Sequence, residues 1–193
     1  MSDSSSLPVG FHVQGCFIPA IGLGTFQGDS GNSLVKETVV AALREGYRHI
    51  DTAAAYGNEK EIGDAIKESG IERNELFITT KLAQTWHDPA DVEEALDRSL
   101  RDLGLDYVDL FLMHFPHAYV AGHDHTTLRH PNGKVCALDI PSVMSQVDAS
   151  LQPQIDSKLS RSYPATWTAM EKLVDKCKAR LIGNLGAWAY VLC

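Results

Sequence analysis

The amino-acid sequence predicts an α/β fold built on a parallel sheet, and three observations support this prediction. Short apolar segments typical of strands alternate with amphipathic segments typical of helices. Short strand–helix–strand repeats require right-handed crossovers, which make successive strands parallel. Polar residues follow several strand segments, as they do at the functional edge of such sheets. The 193 residues predict one domain, and two architectures fit: an open doubly wound sheet and a (β/α)8 barrel.

The first two strand–helix units lie between residues 19 and 70. The segment PAIGLGTF predicts a strand that runs into a loop, and RHIDTA predicts the second strand. We expect Asn32 or Ser33 to cap the first helix and Gly46 to stop it. The second helix is expected to begin at about Asn58 and to stop at Gly70. The expected buried positions are Val35, Val39, Ala42 and Leu43 in the first helix and Ile62, Ala65 and Ile66 in the second.

The remaining units begin with LFITTKL as the third strand. The third helix is expected to start with Asp88 as its cap and Pro89 in its first turn, and to end at Gly104. The segment YVDLFLMH predicts the fourth strand, a long polar loop is expected over 115–164, and ARLIG predicts a short fifth strand. The expected buried stripes are Val92, Ala95, Leu96, Ser99, Leu100 and Leu103 in the third helix and Trp167, Met170, Leu173, Val174 and Cys177 in a fourth.

The composition argues against several classes of function. The net charge of −8 and the scattered basic residues argue against a surface for nucleic acid or an anionic membrane. No run approaches the ~18 apolar residues of a membrane span. The acidic, serine-rich start MSDSSSLP predicts a disordered lead at 1–6 rather than a signal peptide. The four cysteines have no paired spacing, which favours a reduced compartment. We therefore expect a soluble, cytoplasmic protein.

Polar side chains at the ends of three predicted strands indicate a functional site. Asp51 ends the second strand, Lys81 the third and His114 the fourth. Because the carboxyl ends of parallel strands meet at one edge of the sheet, these residues should share a rim. Tyr56 follows on the loop above that rim. Taken singly, each has an ordinary explanation, as a turn cap, a loop aromatic, a solvated charge or a core histidine, and only their joint placement favours a site.

The four side chains together are suited to donating a proton to a carbonyl oxygen. A phenol is a weak acid at neutral pH, but a nearby ammonium favours the phenolate and makes the phenol a better donor. Lys81 is the candidate ammonium beside Tyr56, and Asp51 would keep that lysine charged and in place. His114 could hydrogen-bond a carbonyl oxygen and orient it. Proton donation is half of a carbonyl reduction, and the hydride must come from a cofactor.

Four motifs resemble the successive strand-end motifs of the aldo-keto reductase superfamily. They are GLGTF, HIDTAAAYGNE, ITTKL and DLFLMH, and they match in order from about Pro8 to Gly183. The resemblance implies a partial (β/α)8 TIM barrel that covers about the first five strands. It also implies NADPH-dependent reduction of an aldehyde or ketone within a single oxidoreductase domain over 1–193.

The same resemblance implies roles for individual residues. Tyr56 would be the general acid of a catalytic tetrad completed by Asp51, Lys81 and His114. The resemblance assigns cofactor binding to Gly24, Thr25 and Asp51. It assigns an apolar substrate pocket to Phe26, Trp86, His114 and Phe115. For the three aromatic residues among these, core packing is an equally open interpretation.

Two other sequence patterns, a glycine-rich segment and a group of histidines, suggest a dinucleotide loop and a zinc site, and both interpretations are disfavoured. In GLGTFQG, the residues Gly22, Gly24 and Gly28 miss the G-x-G-x-x-G spacing of a dinucleotide loop by one residue, and no capped helix follows at once. A group of four histidines and a cysteine suggests zinc, but its spacing fits no usual structural site and a solvated loop is favoured. The members of that group are His117, His123, His125, His130 and Cys136.

The chain departs from the resembled family after its fifth strand. About 250 residues are typical of a (β/α)8 barrel, and five strands are predicted here where eight are needed. After ARLIG the sequence reads NLGAWAYVLC, where Asn184 is a candidate remnant of a nicotinamide-binding turn. We therefore expect a C-terminally truncated member whose open edges favour self-association. The alternative to an active reductase is an inactive truncated remnant or a half-barrel that binds another chain.

Overall fold

The computed structural model describes residues 9–27, 32–127 and 153–185. Strands and helices are numbered in chain order within these ranges. The strands are β1 Gly10–Val13, β2 Cys16–Pro19, β3 Leu23–Gly24, β4 His49–Asp51, β5 Phe77–Leu82, β6 Val108–Met113, β7 Ala118–Tyr119, β8 Ile155–Asp156 and β9 Ala179–Asn184. The helices are α1 Val35–Arg44, α2 Glu59–Ser69, α3 Val92–Leu103, α4 Ser157–Arg161 and α5 Tyr163–Asp175.

The central feature is a parallel sheet of five strands in the order β3-β4-β5-β6-β9. Its strands pair in parallel, with Asp51 opposite Thr79, Lys81 opposite Leu112, and Leu112 opposite Gly183. A helix lies between each pair of successive strands, and the predicted order of strands and helices is confirmed. The fold is therefore the α/β class that the sequence predicts, with the strand ends of β4, β5 and β6 at one edge.

The helices cover one face of the sheet and form the main core with it. Ile50, Ile78 and Phe111 alternate along their strands with the polar rim residues and pack under the helices. Gly70 and Gly104 end α2 and α3 with φ of 65° and 66°, a left-handed conformation that glycine adopts without strain. Both helix ends agree with the sequence prediction.

An antiparallel hairpin of β1 and β2 precedes the sheet and was not predicted from the sequence. Its turn, Gln14–Gly15, has positive φ at both residues, which is the geometry of tight hairpins. Cys16 of the hairpin packs with Phe77 and Leu181, which lie on the sheet face opposite the helices. The hairpin therefore covers part of the inner face of the sheet.

Several helix and strand boundaries differ from the prediction. The first parallel strand is only Leu23–Gly24. A 3-10 turn at Asn32–Leu34 precedes α1, and neither Asn32 nor Ser33 caps that helix. Helix α3 begins at Val92, and the Asp88 carboxylate accepts the Ala90 N–H in a turn before the helix. Local capping signals were correct about a turn but wrong about where the helix begins.

Helix α5 also differs from the predicted fourth helix. It begins at Tyr163 and ends at Asp175. Cys177 therefore lies outside the helix, with a φ of 58°, and Val174 is 37% exposed, so neither belongs to the buried stripe.

The segment 115–164, predicted as a loop, contains regular structure in its described parts. Strands β7 and β8 pair antiparallel, and α4 follows directly. Residues 128–152 of that segment, together with the predicted lead at 1–6 and Gly28, lie outside the described residues. In the described ranges, no helix is long and apolar enough to cross a membrane.

Candidate active site

The structure brings all four predicted rim residues together. Asp51 is the last residue of β4, Lys81 lies near the end of β5, and His114 directly follows β6. The His114 N–H donates to Leu82 O at 3.1 Å, which fixes the end of β6 beside β5. A 3-10 turn at Ala54–Tyr56 returns the chain over the rim and places Tyr56 beside the lysine.

Lys81 is the centre of this cluster. Its Nζ donates to Asp51 Oδ1 at 2.6 Å, to Thr52 O at 2.8 Å and to Tyr56 Oη at 3.3 Å. The side chain is only 3% exposed, and three acceptors match the three hydrogens of an ammonium group. A buried charge is tolerated only when it is paired and hydrogen-bonded, so this geometry holds a charged lysine against the phenol.

His114 completes the cluster on the other side of Tyr56. Its ring meets the Tyr56 ring edge-on at 5.6 Å and stacks on Phe115 at 4.9 Å. Burial lowers the pKa of His114, the Lys81 ammonium lowers it further, and the Asp51 carboxylate opposes both effects. The imidazole is therefore neutral at neutral pH. Its Nδ1 is buried and has no hydrogen-bond partner within the described residues.

The three aromatic residues expected in a substrate pocket separate into two groups. Phe26 is 68% exposed and its ring lies 5.1 Å from that of Tyr56, while Phe115 is 41% exposed. These two flank the cluster and present apolar surface to solvent. Trp86 is instead buried, with His125 stacked on it at 3.4 Å and the Arg98 guanidinium 4.7 Å from its ring centroid. For Trp86 the geometry fits the core-packing interpretation.

The residues expected to bind a cofactor lie next to Asp51. Gly24 is in register with Asp51, and an added Cβ at Gly24 would meet no atom within 4 Å. The surface beside Asp51 is therefore open. Thr25 is buried, and its N–H and hydroxyl donate to Asp51 O at 3.0 and 3.1 Å. Its side chain is thus engaged in holding the end of β4.

Two asparagines near the cluster were not identified as site residues from the sequence. Asn58 is fully buried, its Nδ2 donates to Thr25 O at 2.9 Å, and its Oδ1 accepts the Thr52 hydroxyl at 3.1 Å. Asn32 Nδ2 donates to Tyr56 O at 3.0 Å. The sequence signalled both residues only as helix starts, because each directly precedes a helical segment.

Two further expectations for single residues can be compared with the structure. Asn184 is in register with Met113, which packs in the core under the helices. Asn184 therefore lies on the face opposite Lys81 and His114, and its assignment as a remnant of a nicotinamide-binding turn stays a prediction. Among the described residues, no group of three or more histidine, cysteine or acidic side chains could hold a metal ion. His130 and Cys136 of the candidate zinc group lie outside the described ranges.

Comparisons with known proteins agree with this geometry. The model of the Aldo/keto reductase family matches residues 20–187. Aldo-keto reductase family 1 member A1 of Gallus gallus is 46% identical over 171 residues, which are 86% of this chain and 45% of that protein. Glycerol 2-dehydrogenase (NADP(+)) of Saccharomyces cerevisiae is 43% identical over 169 residues, which are 88% of this chain and 48% of that protein.

The likeness extends to solved structures. The aldose reductase from Schistosoma japonicum matches with a TM-score of 0.71 at 35% sequence identity, over 88% of this chain and 50% of that chain. The chain thus spans about half the length of the relatives that it matches, and the predicted partial (β/α)8 barrel is confirmed. Because the family match covers most of the chain and includes the strand ends of the cluster, the chain belongs to the aldo/keto reductase family.

Proposed function

We propose that the chain carries the proton-donating site of an NADPH-dependent reduction of an aldehyde or ketone to an alcohol. One observation carries this proposal, namely the buried Lys81 ammonium held between Asp51 and the Tyr56 hydroxyl. Family membership supports carbonyl reduction in general, and the name of the yeast relative includes NADP(+). The proposed unit is a single oxidoreductase domain over 1–193.

Each residue of the cluster has a definite task in this proposal. Tyr56 donates its hydroxyl proton to the carbonyl oxygen, because the Lys81 charge stabilises the phenolate that remains. Asp51 holds the lysine by an ion pair of 2.6 Å. The neutral His114 donates a ring N–H to the same carbonyl oxygen and orients it toward the phenol.

NADPH is the cofactor that we propose, and the open surface beside Asp51 fits a flat ring. We expect Gly24, Thr25 and Asp51 to hold it: Gly24 because nothing occupies the space above it, and Thr25 because it fixes Asp51. When bound, NADPH supplies the hydride that the protein side chains cannot.

The substrate that we propose is a small carbonyl compound with an apolar or aromatic part. Phe26 and Phe115 are exposed on either side of Tyr56 and His114, and they provide the apolar contacts. A cytoplasmic location is part of the proposal, because the two cysteines in the described ranges, Cys16 and Cys177, are free thiols.

The test combines cofactor binding with a variant at the proton donor. NADPH is titrated into the purified chain while tryptophan fluorescence is followed, and the turnover of an aromatic aldehyde is measured. We expect Tyr56→Phe to lower kcat about 10²- to 10⁴-fold while the Kd for NADPH changes less than about two-fold, because only the proton donor is lost. The matched control is Tyr47→Phe, because Tyr47 is exposed and is not a hydrogen-bond partner of Lys81 Nζ. Near-native turnover by Tyr56→Phe would disprove the role of Tyr56.

A second candidate function, a half-barrel that binds another chain, is favoured by the open edges of the sheet. Within the described residues, β3 and β9 each pair on one side only. A groove of about 460 Å³ lies between the β1–β2 hairpin and the segment that leads into β4, and its lining includes Val9, Phe17 and Ile21, which are 85%, 44% and 68% exposed. Apolar surface of this kind marks an interaction site or favours association.

The size of the particles in solution tests this second candidate. We propose that two chains associate through this groove and the adjoining edge at β3, and light scattering should then give a defined dimer over a range of concentrations. Ile21→Lys should shift that dimer to monomer, whereas Leu34→Lys, at an exposed leucine outside the groove, should not. A monodisperse monomer would exclude association of this chain with itself.

A further inference from the structure

Asn32 connects the start of α1 to the turn that carries Tyr56. Its Nδ2 donates to Tyr56 O at 3.0 Å and to Gly57 O at 3.2 Å. Its Oδ1 accepts from Asn58 Nδ2 at 3.4 Å. One carboxamide therefore uses both of its ends to hold consecutive carbonyl groups and a buried neighbour.

Within the described residues, few other hydrogen bonds tie the backbone of this turn to the rest of the protein. The Tyr56 and Gly57 N–H groups bond only within the turn, to Ala53 O and Ala54 O. The Tyr56 hydroxyl itself is held by Lys81 at 3.3 Å, which is a long distance for a hydrogen bond of this kind. Because the hydroxyl lies at the far end of a long side chain, a small rotation of this turn moves it away from the lysine.

The contacts of Asn32 continue into the supports of the other site residues. Asn58 Nδ2 also donates to Thr25 O, and Asn58 Oδ1 accepts the Thr52 hydroxyl. Thr52 O in turn is an acceptor of Lys81 Nζ. One hydrogen-bond network therefore links the Tyr56 turn, the segment beside the open surface at Gly24 and the lysine.

We propose that Asn32 is a positioning residue that sets the distance between the Tyr56 hydroxyl and Lys81. The proposal rests on the proposed reductase function for its effect on rate, but not for its effect on geometry. Asn32 acts through the backbone of Tyr56 and Gly57 and touches neither substrate nor cofactor in this role. The turn presents two carbonyl oxygens to Asn32, and the carboxamide NH₂ group has the two hydrogens that bond to both.

The test uses two variants of Asn32 and a matched control. Asn32→Asp keeps the shape but replaces both donors with an oxygen that faces two carbonyl oxygens. Asn32→Ala removes the contact without adding a charge. The control Thr38→Val removes a hydrogen bond in the first turn of α1, from Thr38 Oγ1 to Leu34 O at 2.8 Å. This bond does not involve the Tyr56 turn.

The first measurement is independent of activity. In the wild-type chain, the rings of Tyr56 and His114 lie 5.6 Å apart, so their protons should give a nuclear Overhauser effect. We expect both Asn32 variants to weaken this signal at least about two-fold, because the turn is released, while Thr38→Val keeps it. An unchanged signal in folded Asn32→Asp and Asn32→Ala would overturn the proposal.

The second measurement separates positioning from general destabilisation. We expect the Asn32 variants to lower kcat about 10- to 100-fold, as a misplacement of roughly 1 Å does, with the Kd for NADPH unchanged within about two-fold. Equal losses of kcat in Thr38→Val would overturn the positioning role. If the wild-type chain reduces no carbonyl, the proposed function fails, and the ring–ring signal alone decides the role of Asn32.

Discussion

His87 provides a quantitative test of how completely the segment after β5 is buried. It follows the 3-10 turn Gln84–Trp86 and is 0% exposed, and its carbonyl oxygen accepts the Thr166 hydroxyl of α5 at 2.6 Å. In the described part of the chain, neither ring nitrogen has a hydrogen-bond partner. Burial, and to a smaller extent the nearby His117, lowers the pKa of His87 from 6.5 to about 4. The ring is therefore neutral in the folded protein at pH 7.

This depressed pKa makes the stability of the fold sensitive to acid. The unfolded chain, with a histidine pKa near 6.5, binds more protons than the folded chain between pH 6.5 and 4. The stability that depends on the neutral ring is thus present above pH 6.5 and is lost as the pH falls toward 4. From these two values, the loss is about 2 kcal/mol at pH 5 and about 3 kcal/mol below pH 4.

Urea unfolding of the wild-type chain and of His87→Leu at pH 7 and pH 5 tests this reasoning. Between pH 7 and pH 5, the free energy of unfolding of His87→Leu should fall by about 2 kcal/mol less than that of the wild type. This difference does not depend on the stability of the variant at pH 7. His123→Gln, at an exposed histidine, should keep the wild-type loss and serves as the control. If His87→Leu loses as much stability as the wild type, the imidazole is accessible or paired in the folded protein and the argument from burial is refuted.

Two further predictions concern buried carboxylates outside the site. Burial raises the pKa of Glu59, so its folded form holds a proton more tightly than the unfolded chain and stability falls as the pH rises through 4.5. Glu59→Gln keeps an acceptor for the Thr80 hydroxyl, which lies at 2.6 Å in the wild type. In urea unfolding, the free energy of unfolding of the variant minus that of the wild type should be larger at pH 7 than at pH 4. An equal difference at the two pH values would contradict this. Asp109, whose side chain is 1% exposed, pairs with Arg73 and Arg180 at 2.7 and 2.9 Å. Asp109→Ala should lower the free energy of unfolding in urea by about 3–5 kcal/mol, because it leaves two arginines without their partner. The control Asp106→Ala, at an exposed aspartate, should lower it little. A loss below about 1 kcal/mol at Asp109 would show that the arginines find other partners.

The rim of the sheet was predictable because it follows from strand geometry. Polar residues at the ends of successive parallel strands must meet at one edge, so the positions of Asp51, Lys81 and His114 in the sequence placed them together before any coordinates. Tyr56 could be added because its turn follows the same strand end. What the sequence could not provide was which groups touch, such as the three acceptors around Lys81 Nζ.

Contacts between distant residues determine several features that local signals do not reveal. The second helix begins next to Asn58 as expected, but only the structure shows that the Asn58 carboxamide bonds to Thr25 O and Thr52. The sequence left Trp86 open between a substrate pocket and core packing, and the structure shows that Arg98 and His125 pack around its indole. The β1–β2 hairpin was missed because its short strands carry few alternating positions.

The sequence by itself determined the class of fold, the order of strands and helices, and the rim on which the polar groups lie. These features depend on local periodicity, on glycine stops and on the direction of parallel strands, all of which act over a few residues. Only the tertiary structure decided that Asn32 holds the turn of Tyr56 and is itself held by Asn58. It also decided on which face of the sheet Asn184 lies. Those features depend on hydrogen bonds and strand register between residues that are far apart in the chain, and no local pattern records which pairs will meet.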